Sequence, residues 1–287
     1  MNCKCAHFWG AISLLSVFLT TQVISAPYNG RFELYEYNSV LDINVPTGWQ
    51  YENYTAVLNR LIPQPRGGGS TENWLLDANV GLSPHDGNYF LVLRTGDGVS
   101  GQYPQVQQTI TIEAEDTLIG AYFFGTCDYP SYNDYGEITL IPLDPNDSNL
   151  SQINILRVSV SDVGKYGSMK GWERFEYTFN ANQAGTYNLL VKATDVVDWI
   201  YRSYFAVDGL VLCEDASSGG DINLDCTTDF HDFALLATDW LRDCNAPNNC
   251  NDPNTNCQLD TDLTGDGPVD TKDLQIMSEY WLEGTKE

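Results

Sequence analysis

Phe175-Glu176-Tyr177-Thr178-Phe179-Asn180 and Tyr187-Asn188-Leu189-Leu190-Val191-Lys192 carry an aromatic or apolar side chain at every second position. A period of two marks a half-buried strand, because successive side chains leave a pleated strand on opposite faces. Further toward the N-terminus, Val106, Gln108, Ile110 and Ile112 alternate with Gln107, Thr109 and Thr111, and Tyr89 to Leu93 is a short, nearly continuous apolar run. Turn formers separate these runs: Gly67-Gly68-Gly69, Pro84-His85-Asp86-Gly87, Gly96-Asp97-Gly98 and Asp144-Pro145-Asn146-Asp147. No window of useful length between Tyr28 and Cys213 has helical periodicity. Many short strands with such turns predict an antiparallel two-sheet sandwich over residues 27–213.

The chain has 287 residues, 43% hydrophobic and 12% aromatic, enough for a medium domain with a core and a small second one. Its formal charge is −25, and the segment from Glu214 to Glu287 holds 17 acidic and 3 basic residues. Nucleic-acid binding is excluded as a general role, since phosphate contacts need clustered Lys and Arg. Residues 1–26 read as a secretory signal: Lys4, an apolar stretch from Phe8 to Leu19, and small residues ending at Ala26. Cleavage there leaves a chain with no membrane span, expected to be secreted, extracellular or on the cell surface. Cys127, Cys213, Cys226, Cys244, Cys250 and Cys257 then remain, and disulfides are plausible outside the cytoplasm. Sequence cannot choose among the pairings. Zinc is the rival reading, but Cys244, Cys250 and Cys257 are spaced too widely for a ligand knuckle.

Past Ser217-Ser218-Gly219-Gly220, a linker at 214–220, one pattern occurs twice at an offset of 41 residues. Asp221, Asn223, Asp225, Asp229 and Asp232 fall on Asp262, Thr264, Asp266, Asp270 and Asp273. Oxygen side chains at positions 1, 3, 5, 9 and 12 of a loop are what Ca²⁺ needs. Each loop leads into an apolar stripe of helical period: Phe233, Leu236, Ala237, Trp240 and Leu241, then Leu274, Met277, Ser278, Trp281 and Leu282. The two stripes are expected to bury each other. Neither loop has an entering helix, and position 12 is Asp rather than the usual Glu of an EF-hand.

This arrangement resembles the type I dockerin domain over about residues 219–283. The resemblance implies a small all-α domain at 221–287 that folds around two Ca²⁺ ions and plugs into a cohesin-like partner. Asp221, Asn223, Asp225, Asp229 and Asp232 would hold one ion with the carbonyl of Thr227; Asp262, Thr264, Asp266, Asp270 and Asp273 would hold the other with the carbonyl of Pro268. Loop positions 10 and 11, which read the partner in that family, are Phe230-His231 and Thr271-Lys272 here. Position 6 of the first loop is Cys226, where the sharp turn prefers Gly, at a cost of roughly 1 kcal/mol. A disulfide from Cys226, with Cys244 as one partner, would hold that loop in shape.

The order of Asn29 to Glu33, Gly48-Trp49, Pro84 to Gly87, Gln107 to Ile110, Trp172 to Phe179 and Phe205 to Leu212 is similar to jelly-roll carbohydrate-binding modules of the galactose-binding-like group. That resemblance implies a polysaccharide ligand and a structural Ca²⁺ held by Glu33 and Asp208. Sugar binding needs flat aromatic faces and a few polar groups. Trp74, Tyr103, Tyr129, Tyr132, Tyr135 and Trp199 are the candidates, with Trp49 and Trp172 assigned to the core. Glu113, Glu115, Asp116, Glu173, Asp195 and Asp198 present no spacing that singles out a catalytic pair, and hydrolase motifs are missing. The expectation is a mainly β, exported, non-catalytic protein that binds glycan and docks through its tail. A glycoside hydrolase acting on O-glycosyl bonds and a structural cell-surface interaction protein are the alternatives.

Overall fold

A computed structural model of the chain describes residues 26–97, 101, 103–146, 149–214, 219–223, 225–243 and 261–281. The signal segment, Ser217-Ser218, Cys244, Cys250, Cys257 and Leu282 lie outside these residues. Strands β1 (Tyr35–Asn38) and β2 (Ile43–Pro46) form a hairpin of their own. The strands that follow are β3 (Gln50–Glu52), β4 (Thr55–Leu58), β5 (Phe90–Arg94), β6 (Gln105–Ile112), β7 (Thr117–Thr126), β8 (Tyr135–Pro142), β9 (Ile153–Ser159), β10 (Glu173–Thr178), β11 (Gly185–Thr194) and β12 (Ser203–Cys213). They make two five-stranded sheets, β10-β7-β12-β5-β4 and β3-β6-β11-β8-β9.

From β5 to β12 the chain changes sheet at each step except β8 to β9. Strand β12 is inserted between β7 and β5, and β11 between β6 and β8, all antiparallel. That winding is a jelly roll. The protein is therefore mainly β, as its alternating segments require.

The alternation decides what each sheet buries. Along β6, Val106, Gln108, Ile110 and Ile112 point inward and Gln107, Thr109 and Thr111 outward. Gln108 is buried because its amide is satisfied: Oε1 accepts from the Tyr28 N–H and Nε2 donates to the Gly48 carbonyl. Strands β5 and β12 are buried on both faces. The outer side of their sheet is covered by the connection from β4 to β5. There Trp74 packs on Phe123 and Tyr204, with Nε1 donating to the Thr126 carbonyl at 2.8 Å. Trp172 packs on Phe90 and donates to the Ser83 carbonyl, while Trp49 is buried in the main core.

Beyond a single turn, α1 (Val160–Val163), the helices are α2 (Phe230–Thr238) and α3 (Thr271–Glu279). Asp229 and Asp270 cap them, each accepting from the N–H two residues on. The stripes are buried less than the sequence led one to expect. Leu236 and Met277 are fully buried with Ile222 and Val269, but Phe233, Trp240 and Leu241 are exposed. The loops themselves supply Ile222 and Val269 to this small core, and each nine-residue helix adds one fully buried apolar side chain from its last turn. Gly219 and Gly220 are not free linker: they press against Tyr280 and Met277.

The disulfide is also corrected. Cys226 pairs with Cys213, the last residue of β12, rather than with Cys244. Thirteen residues separate the two, and both lie beside Ile119 and Val211, so the bond joins the sandwich to the first acidic loop.

Candidate functional site

With one outer sheet face covered, the other is the candidate site. Two rows of side chains run across β3, β6, β11, β8 and β9 in register: Glu52, Gln105, Lys192, Glu137 and Arg157, then Gln50, Gln107, Leu190, the buried Thr139, and Asn154. A row of five strands spans about 19 Å at the usual strand spacing. Gln107 Nε2 donates to Gln50 Oε1 at 2.8 Å, and Thr109 Oγ1 to Asn188 Oδ1 at 2.9 Å. Thr111 and Thr186 face each other at 3.4 Å. Tyr103 and Tyr135 mark the charged end of this face. The Lys192 ammonium lies 4.9 Å from the Tyr103 ring centroid, and the Arg157 guanidinium 3.5 Å from that of Tyr135. Neither cation forms an ion pair with Glu52 or Glu137, although Glu137 is the register partner of both. Amides and hydroxyls that both donate and accept, beside two half-buried tyrosine rings, suit a polyhydroxylated ligand.

The six aromatic candidates thus divide. Tyr103 and Tyr135 come to the open face. Tyr129 and Tyr132 stack edge-on at 4.9 Å in a separate cluster with Tyr166 and Tyr201 at one end of the sandwich. Trp74 is turned into packing, and the Trp199 Nε1 is buried without a hydrogen-bond partner. Gln50, Gln107, Thr109 and Asn188 were missed as site residues. Their only signal in the sequence is the polar phase of the strand alternation.

Beneath the tyrosine cluster lie three buried carboxyl groups, Asp128, Asp134 and Asp195. Asp134 accepts from the Val196 N–H and the Ser203 hydroxyl, and Asp195 from the Gly96 N–H. Burial, and then the charge of Asp195, pushes Asp134 up to about 8. Burial raises Asp128 and Asp195 to about 6. Asp195 Oδ1 has no donor of its own.

Glu33 and Asp208 meet at one loop. Glu33 Oε1 accepts from the Asn88 and Tyr89 N–H groups, and Asp208 Oδ2 from those of His85 and Asp86. Gly87 between them has φ +63°, and a Cβ there would lie 2.2 Å from Glu33 Oε1. Burial pushes Asp208 up to about 7.

The two acidic loops share four equivalent backbone-to-carboxylate bonds. Asp221 accepts from the N–H groups of Asp225 and Cys226, as Asp262 does from Asp266 and Gly267. Asp232 accepts from Asn223 and Asp229, as Asp273 does from Thr264 and Asp270. Position 6 has positive φ in both, +71° at Cys226 and +106° at Gly267. Thr264 Oγ1 donates within reach of both Asp262 and Asp273, and the Lys272 ammonium sits on Asp266. Among the described residues no three His, Cys, Asp or Glu side chains are grouped closely enough to hold a metal ion. In this geometry the carboxylates of each loop turn to backbone N–H groups. Phe230, His231, Thr271 and Lys272 are all on the surface at the starts of α2 and α3.

No helix among the described residues is long and apolar enough to cross a membrane. No protein-family model matches the chain, and no curated protein matches it. Among solved structures, TmCBM61 in complex with beta-1,4-galactotriose aligns at 12% identity over 64% of this chain and 94% of its own, with TM-score 0.36. The CBM22-1 xylan-binding domain of Xyn10C from Paenibacillus barcinonensis aligns at 14% identity over 58% and 86%, with TM-score 0.32. The K3 cleaved adhesin domain of Lys-gingipain from Porphyromonas gingivalis aligns at 10% identity over 63% and 97%, with TM-score 0.34. At these scores the fold assignment rests on strand order, and any functional assignment on the chain's own residues.

Proposed function

We propose that this is an exported, non-catalytic protein whose β-sandwich binds a polysaccharide across the open face of the β3-β6-β11-β8-β9 sheet. The observation that carries the reading is the contrast between the two outer faces. One is covered by the β4–β5 connection, and the other presents Gln50, Gln107, Thr109 and Asn188, with Tyr103 and Tyr135 at one end. Sugar hydroxyls would replace the amide-to-amide and hydroxyl-to-amide bonds across that ladder, and pyranose faces would stack on the tyrosines.

The C-terminal repeat supports a second part of the reading. It is a dockerin-like unit that takes Ca²⁺ at Asp221, Asn223, Asp225, Thr227, Asp229 and Asp232 and at Asp262, Thr264, Asp266, Pro268, Asp270 and Asp273, and engages a cohesin-like partner. Bound Ca²⁺ would neutralise the clustered carboxylates and cross-link each loop. Glu33 and Asp208, on either side of the His85–Tyr89 turn, are the residues for a structural Ca²⁺ in the sandwich.

The test is calorimetric titration of a panel of soluble oligosaccharides into the chain from residue 27. Binding by the native chain, lost in Gln107→Ala/Asn188→Ala with unchanged thermal stability, is expected. Binding that survives this double substitution would move the site elsewhere.

A further inference from the structure

We infer that the two acidic loops are unequal, because the sandwich itself serves as the template for the first. The first loop keeps its shape without a divalent cation, whereas the second depends on one. This rests on the calcium reading above and adds to it which loop the cation is needed to fold.

Four contacts fasten the first loop to the sandwich. The disulfide from Cys213, at the end of β12, fixes Cys226 at position 6. Arg174 on β10 donates to the carbonyl of Asp221 at position 1. Arg31 donates to the carbonyl of Asn223 at position 3, at 3.5 Å, while its other nitrogen holds Asp86 at 2.6 Å. Ile119 and Val211 complete an apolar contact around the disulfide. In a calcium loop, positions 1 and 3 supply ligand side chains and position 6 makes the sharp turn.

The second loop has a different support at the same positions. Its position 6 is Gly267, which has no side chain to tether. The carbonyl of Asp262 accepts from Gly265 within its own loop, at 3.2 Å. Gly265 and Gly267 both have positive φ, so two of its residues carry the backbone freedom that glycine brings and the unfolded loop has more to lose on closing. The Lys272 ammonium also occupies Asp266, which a cation would have to displace. A preformed loop binds without an ordering cost, and a loose one does not. The left-handed backbone at Cys226 points the same way: a non-glycine residue is kept at φ +71° by a covalent bond to a rigid strand.

The experiment uses the chain from residue 27 in EDTA, followed by amide hydrogen exchange. Oxidised protein is expected to protect the first loop, residues 221–229, while the second, 262–270, exchanges freely. Adding a water-soluble phosphine converts the disulfide to two thiols, with the phosphine taken to its oxide by water. Protection of 221–229 should then fall by roughly tenfold or more. Cys226→Gly removes the tether but supplies the residue that positive φ favours. If 221–229 stays protected in that variant, backbone preference rather than the tether holds the loop, and the inference fails. It also fails if both segments exchange alike in the oxidised chain, or if reduction changes neither. Calcium calorimetry on Asp225→Ala and Asp266→Ala separates the two claims. The first loop, isolated by Asp266→Ala, should bind roughly tenfold more tightly than the second, and reduction should remove the difference. No Ca²⁺ heat from the native oxidised chain would overturn the calcium reading, while the exchange pattern would still judge the tether.

Discussion

Asp134 keeps a proton that it would release in the unfolded chain. Its folded value is raised to about 8 by burial and by Asp195, against about 3.9 unfolded. Between those values the native state binds more protons than the unfolded one, so stability is greatest at acid pH and falls as pH rises from about 4 to about 8. Asp128, Asp195 and Asp208, all raised by burial, add to the same slope. Scanning calorimetry from pH 5 to pH 8.5 should show Tm declining, and Asp134→Asn should flatten part of the decline. A Tm that rises over this window would contradict a buried, protonated Asp134. Gly136 makes a second point at this scale. A Cβ there would meet the Phe205 ring at 2.2 Å, so Gly136→Val should cost about 1–3 kcal/mol through overpacking, read as a lower urea midpoint at unchanged slope. Neither residue was legible as critical in the sequence. An aspartate and a glycine in a turn-rich β protein look like loop residues until the facing element is known.

At the scale of elements, the long alternations were fully legible. Tyr187, Leu189 and Val191 are buried, as is the Val106-Gln108-Ile110-Ile112 phase of β6. What could not be read was the use of the other phase. Gln107, Thr109 and Asn188 look like solvated residues until strand order places β6 and β11 side by side. The β4–β5 connection was equally hidden, because a stretch rich in Pro and Gly gives no periodic signal that it will seal one sheet. The helices were legible in position. The depth of their packing was not, since half of that core comes from Ile222 and Val269 in the loops. Leu236→Ala removes one of four fully or nearly fully buried side chains there and should cost about 2–5 kcal/mol. Circular dichroism should show both α2 and α3 weakened together. Loss confined to α2 would show that the two helices do not share a core.

At the scale of the molecule, the tail and the sandwich are joined by the Cys213–Cys226 bond and by Arg31 and Arg174. Sequence placed a flexible linker here, because Ser-Ser-Gly-Gly is what a linker looks like and cysteine pairing is invisible to spacing alone. With a charge of −25, the chain repels polyanions, so a neutral glycan is the class that the open face can approach at low salt. The most direct test of the binding face is titration of neutral oligosaccharides into the native chain and into Gln107→Ala/Asn188→Ala, with Tm recorded for both. Saturable binding by the native chain, abolished in a double variant of equal Tm, is the expected result. Equal affinity in both proteins, or no binding of any glycan by the native chain, would contradict the assignment of the open sheet face as a glycan site.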